Sequence, residues 1–146
     1  AGYAVLYEPR SIVYHKYDFD GTLKHYHLLE RNRWWLILTY YRWRTLLVLS
    51  PALVAMELGQ WLFALNRGLM GQKLRSYRQL LSPANLRWLK QARRRAQQRR
   101  AISDRTFMQS FTGTIDAEPM NRGLVRYVAN PLLGAYWALI KRLIFW

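Results

Sequence analysis

Hydrophobic and polar positions alternate only at the very start of this chain and then settle into long stretches with helical spacing. Residues 3–7 (Tyr-Ala-Val-Leu-Tyr) and 11–14 (Ser-Ile-Val-Tyr) are short β-rich runs, and Glu8-Pro9-Arg10 between them suits a turn in which proline presets φ. Two strands bury too little apolar surface to be stable alone, so the pair is expected to belong to a larger sheet whose other strands lie upstream of Ala1. The polar stretch Lys16-Tyr17-Asp18-Phe19-Asp20-Gly21 reads as a loop, and Thr22 can then cap a helix over residues 23–43.

Residues 45–65 (TLLVLSPALVAMELGQWLFAL) contain no Lys or Arg. At ~1.5 Å per residue this run is long enough to cross a hydrocarbon core of roughly 30 Å. Pro51, Glu57 and Gln60 oppose a crossing, because an acidic residue near the centre of a span costs about 2.5–3.5 kcal/mol on insertion scales. Arg31, Arg33, Arg42 and Arg44 precede the run, and residues 67–105 hold twelve Lys or Arg against one acid, Asp104. Positive charge marks the cytoplasmic side, and a single crossing would strand one of these clusters. A helix in the interface or a re-entrant hairpin leaves both on that side, so monotopic insertion is favoured over a span. Trp34, Trp35, Trp43 and Trp61 gather near the ends of the run, where amphipathic rings prefer the headgroup level.

Further along, Ser82-Pro83 has the form of a helix start, with Ser as cap and Pro in the first turn, leading into the arginine-rich segment 85–100. Ser103-Asp104-Arg105-Thr106 can cap a short helix that Gly113 ends, and residues 114–123 read as a loop around Pro119. A last helix is expected after Pro131. Its apolar residues, with Trp137 and Trp146 among them, suit the membrane interface, and it is too short to span.

Composition sharpens this picture. With 23 Lys or Arg against 8 Asp or Glu the net charge is +15, which points to an anionic partner. Hydrophobic residues at 51% and aromatics at 15% exclude a disordered basic tail. The basic helix over 85–100 offers a solvated face, an anionic-lipid contact or a nucleic-acid contact. Nucleic acid is not expected, because a soluble nucleic-acid binder has no means to keep residues 45–65 out of water and no recognised module fits. There is no cysteine, so disulfides, thiolate zinc sites and cysteine nucleophiles are excluded. The start at Ala1-Gly2-Tyr3 reads like a piece of something longer.

Few residues suggest chemistry. His15, at the end of a strand-like run, can face a cleft and ligate a metal, or it can be a hydrogen-bonded structural residue. His25 and His27 point in different directions on a helix and are read as surface or packing residues. Asp18 and Asp20 are read as solvated turn residues. No nucleophile triad, phosphate-binding glycine loop or paired-carboxylate site is evident.

Taken in order, Gly2-Tyr3-Ala4-Val5-Leu6-Tyr7-Glu8-Pro9, Ser11-Ile12-Val13-Tyr14-His15-Lys16 and Leu28-Leu29-Glu30-Arg31-Asn32-Arg33 resemble the C-terminal end of bacterial family 2 glycosyltransferases with the GT-A fold. In that family the aromatic-His pair closes the catalytic domain, and the Arg-Asn pair opens a helix leading to membrane-associated helices. The Arg-rich helix, Ser103-Asp104-Arg105 and the segment from Asn130-Pro131-Leu132 to Trp137 also look like the family's tail.

The resemblance implies transfer of a sugar from a nucleotide-sugar donor to a lipid-linked or glycan acceptor at the cytoplasmic face of the bacterial cytoplasmic membrane. It implies a divalent cation, Mg or Mn, held mainly by residues upstream of this chain and completed by His15. Lys16, Arg31 and Asn32 become candidate contacts to the donor diphosphate or the acceptor. The family's Asp-any-Asp motif and catalytic carboxylate have no counterpart here, so this chain alone is expected to be inactive. The expected architecture is mainly α with a short two-stranded β remnant. It divides into the edge of a GT-A domain (1–33), membrane-associated apolar helices (34–66), basic amphipathic helices (67–112) and a loop with a C-terminal interfacial helix (113–146). The alternative from another class is a non-catalytic basic scaffold that holds an anionic membrane surface.

Overall fold

The computed structural model describes residues 6, 8–14, 23–116 and 123–146. The chain is mainly helical: α1 (Tyr26–Tyr40), α2 (Trp43–Asn66), α3 (Met70–Leu80), α4 (Pro83–Gln98), α5 (Asp104–Met108), and a π-helical turn (Val125–Ala129) that runs into α6 (Asn130–Leu143). No strand occurs among the described residues. The turn expected at Glu8-Pro9-Arg10 is present, closed by the Ser11 amide donating to the Glu8 carbonyl at 3.1 Å. Residues 11–14 are irregular, with Ile12, Val13 and Tyr14 exposed, which departs from the expected second strand. A strand needs a neighbour to pair its amides and carbonyls, and none lies beside this run among the described residues. Apart from Leu6, the first run at 3–7 lies outside the described residues.

The chain divides into two units, neither contiguous in sequence: residues 1–40 with 57–100, and residues 41–56 with 101–146. The helix α2 contributes to each.

In the first unit α1 packs along α3 and α4. Tyr26, His27, Glu30 and Thr39 of α1 are buried, as are Lys73, Ser76 and Leu80 of α3. Lys73, Ser76 and Leu80 recur every three or four residues, the spacing that lines one face of a helix, and Tyr26, His27 and Glu30 share one side of the first turn and a half of α1. Gly68 ends α2 with φ +66°, and the amides of Gly68 and Leu69 donate to the carbonyls of Leu65 and Ala64. This is a Schellman ending, in which the left-handed residue costs glycine nothing. Gln72 of α3 secures the entry to α1: its side-chain amide donates to the Leu23 carbonyl at 3.0 Å, and its oxygen accepts from the His27 amide at 3.3 Å. The helix α4 starts as its sequence indicates, with Ser82 Oγ accepting from the Asn85 amide and Pro83 in the first turn.

The second unit is built around Leu49, Met108, Ile140 and Ile144, with Tyr41, Val48, Leu53, Tyr136, Trp137 and Trp146 packed against them. Pro51 sits inside α2 without ending it. Its missing N–H would have bonded the Leu47 carbonyl, and the Ser50 hydroxyl donates there instead at 2.7 Å. Ser103 caps α5 through the Thr106 amide at 3.0 Å, as expected from the sequence. Gly113 lies directly against Trp137, so close that a Cβ would collide with the indole. Asn130 clamps Ile115 with two bonds, accepting from its amide at 2.8 Å and donating to its carbonyl at 3.1 Å. The last helix begins before Pro131, through the π turn. Pro131 falls in the first turn of α6, directly after the wider π turn, where a proline without an N–H is tolerated.

Candidate functional site

Of the residues singled out by resemblance, His15 and Lys16 lie outside the described residues. Arg31 and Asn32 are on α1. The Arg31 guanidinium lies 4.2 Å from the Trp35 ring centre and donates to Gln79 Oε1 and to Asn32 Oδ1. It thus ties α1 to α3, while Asn32 is exposed. His25 is exposed, and His27 is buried with its Nδ1 3.4 Å from Gln72 Oε1. Among the described residues no group of three or more His, Asp or Glu is placed to hold a metal ion.

The neighbouring residues of the same motif form the most concentrated polar site in the first unit. Glu30 and Arg33 of α1 meet Glu57 of α2 and Lys73 and Tyr77 of α3. Arg33 donates to Glu30 at 3.1 and 3.2 Å and also to Glu57. Lys73 is fully buried, with its ammonium bonded to Glu30 and 2.5 Å from Glu57 Oε1. The Tyr77 hydroxyl donates to Glu57 and accepts from the Trp61 indole at 3.0 Å. Two cations against two carboxylates leave the cluster neutral, the condition under which buried charge is tolerable.

Burial raises the Glu57 carboxyl, but bonds from Lys73, Tyr77 and Arg33 outweigh it and hold it at about 2. Burial, followed by the bond to Glu57, pushes the Tyr77 hydroxyl well above its ordinary value; burial and the nearby Glu30 do the same to Tyr26. Tyr26 in turn donates to the Gln60 side chain at 3.0 Å. A charge-balanced cluster of this kind fixes three helices in register, with Arg33 Nη1 left as a buried donor without a partner.

The arginine-rich helix α4 and the residues just past its end divide their side chains between two tasks. Arg93 donates to the Leu38 carbonyl, Gln97 to those of Thr39 and Tyr40 at 3.1 and 3.0 Å, and Arg100 to that of Tyr40 at 3.2 Å. These groups close the C-terminal end of α1, where carbonyls lack helical partners and the dipole favours cations. Arg87, Lys90, Arg94 and Arg95 are exposed, and none is paired with a carboxylate among the described residues.

The tryptophans proposed for the interface are mostly engaged within the fold. Trp35 packs on Trp88 at 4.7 Å, Trp34 lies 5.0 Å from Arg33, Trp61 bonds Tyr77, and Trp137 and Trp146 pack against the core of the second unit. Trp43 is 65% exposed. The helix carrying it, α2, has 24 residues and is long and apolar enough to cross a membrane, with 6% of its most apolar stretch buried. No protein-family model matches the chain, and no curated protein or solved structure is significantly similar to it.

The ionic cluster escaped the sequence reading because its members are at 30, 33, 57, 73 and 77. Glu57 counted only as a liability in an apolar run. That liability was itself the available signal, since an acid in such a run needs a cation supplied from elsewhere in the chain.

Proposed function

We propose that this chain is the C-terminal part of a membrane-associated family 2 glycosyltransferase that moves a sugar from a nucleotide-sugar donor to a lipid-linked or polysaccharide acceptor. The observation carrying this reading is the ordered succession of residues 2–16 and 28–33, followed directly by an apolar helix. In support, α1 bears the Glu30-Arg31-Asn32-Arg33 segment and passes through Tyr41 and Arg42 straight into α2. A largely exposed apolar helix following this segment in the chain suits an enzyme whose acceptor is held in lipid.

His15 is the residue assigned to the divalent cation, with Lys16, Arg31 and Asn32 as contacts to the donor or acceptor. When bound, the cation would neutralise charge on the leaving diphosphate. In the complete enzyme His15→Ala is expected to lower turnover and weaken metal dependence while membrane association stays unchanged. Unchanged turnover removes His15 from the site.

The second reading is a basic membrane scaffold without catalysis. The observation favouring it is that Glu30 and Arg33, within the motif, are consumed by buried ion pairs. Binding of a nucleotide sugar by the complete protein separates the two, since a scaffold has no use for it.

A further inference from the structure

We infer that α2 lies in the plane of an anionic bilayer surface, with one leucine-rich face against the acyl chains, and does not cross the membrane. The inference rests on the membrane association proposed above.

Glu57 stands fourteen residues after Trp43 and nine before Asn66, so a crossing α2 would carry it deep into the hydrocarbon. Glu57 does not travel alone. It is bonded to Lys73, which brings α3, and to Arg33, which brings α1. The helix α3 has 11 residues, and its Arg75 and Arg78 lie within five positions of Lys73. Both are exposed, and neither is paired with a carboxylate among the described residues. A crossing would leave these two guanidinium groups facing acyl chains, far from either headgroup layer of a core roughly 30 Å thick. In an interfacial placement the same groups meet lipid phosphates, the charges they complement.

The surface of α2 fits that placement. Leu47, Val54, Leu58, Leu62 and Leu65 are 59–75% exposed. Their spacings of seven, four, four and three return to one side of a helix. The stripe runs roughly 27 Å at ~1.5 Å per residue. Glu57 and Gln60 turn away from the stripe to make their bonds, and Trp61, bonded to Tyr77, borders it. An in-plane helix needs an apolar face along its length, and this stripe supplies one.

These 146 residues contain no cysteine, so single cysteines at 47, 54, 58 and 65 can carry nitroxide labels on this chain without background. Depth is read by power saturation on vesicles of phosphatidylcholine and phosphatidylglycerol. The expected result is one shallow depth shared by all four labels. A depth that peaks at Val54 and falls toward Leu47 and Leu65 overturns the inference in favour of a crossing. Labels that stay as water-accessible on vesicles as in solution overturn it as well. The Arg75→Gln/Arg78→Gln variant should bind these vesicles roughly thirtyfold more weakly, at about 1 kcal/mol for each basic residue near the surface; unchanged binding contradicts the headgroup role. If the unlabelled protein fails to sediment with vesicles, the membrane association itself is wrong, an outcome read before any label is placed.

Discussion

Lys73 Nζ lies 2.5 Å from Glu57 Oε1, so a fully buried ammonium on a polar, basic helix neutralises the one acid within the most apolar helix of the chain. Opposite charges at this separation, cut off from water, attract strongly enough to offset much of their desolvation, and the bonds from Arg33 and Tyr77 supply the rest.

Removing one partner leaves the others buried and unbalanced. Lys73→Met should destabilise the first unit by about 3 kcal/mol or more, since breaking a buried pair from one side is far costlier than replacing both sides. Lys73→Met combined with Glu30→Gln should cost less than Lys73→Met alone. Chemical denaturation of the vesicle-bound or detergent-bound protein measures both, and a larger loss for the double variant would contradict the pairing.

The acid dependence follows from Glu57. Its folded value of about 2 lies below the ordinary 4.5, so its contribution to stability is fully present above about 4.5 and is lost as pH falls toward 2. The melting temperature of the native chain should drop through that window more steeply than that of Glu57→Gln. Equal slopes would show that Glu57 titrates as a free carboxyl.

Much of this architecture is legible in the sequence, and the exceptions have physical causes. The apolar run at 45–65 and the caps Ser82 and Ser103 sit where local rules place them, because those rules act within a few residues. The helix α3 is not distinguished as an element: MGQKLRSYRQL looks like a solvated basic segment, and only packing makes Lys73 and Ser76 interior. Charge counting likewise merges the roles of α4, because Arg93 and Arg94 are adjacent in sequence while only Arg93 reaches the end of α1. The helical entry ahead of Pro131 is also missed, since a π turn has no sequence period of its own.

Asp104, the one acid of residues 67–105, is buried at the N-terminal end of α2. It accepts from the Arg42 amide at 3.2 Å and from the Thr45 hydroxyl, and Trp146 donates to the same Thr45 oxygen at 2.9 Å. A carboxylate is favoured there by the helix dipole as well as by its bonds. Asp104→Ala should therefore cost the second unit about 1–3 kcal/mol, with faster hydrogen exchange in the first turn of α2. Exchange there equal to that of the native chain would contradict the capping role.

Neighbouring arginines of α4 should behave differently. Arg93→Ala removes a donor from the end of α1 and should cost about 1 kcal/mol, with faster exchange in the last turn of that helix. Arg94→Ala, at an exposed position, should stay within about 0.5 kcal/mol of the native chain. Equal effects would mean that α4 acts on α1 only as a field of charge.

The most direct test of the glycosyltransferase reading is the intact mass of the native protein that carries this C-terminus, captured from its source membrane with an antibody to the final segment. The account predicts a mass well above the 17.5 kDa of these 146 residues, by enough to hold a nucleotide-sugar-binding domain. A native mass of 17.5 kDa would contradict it and leave the membrane scaffold as the function of the chain.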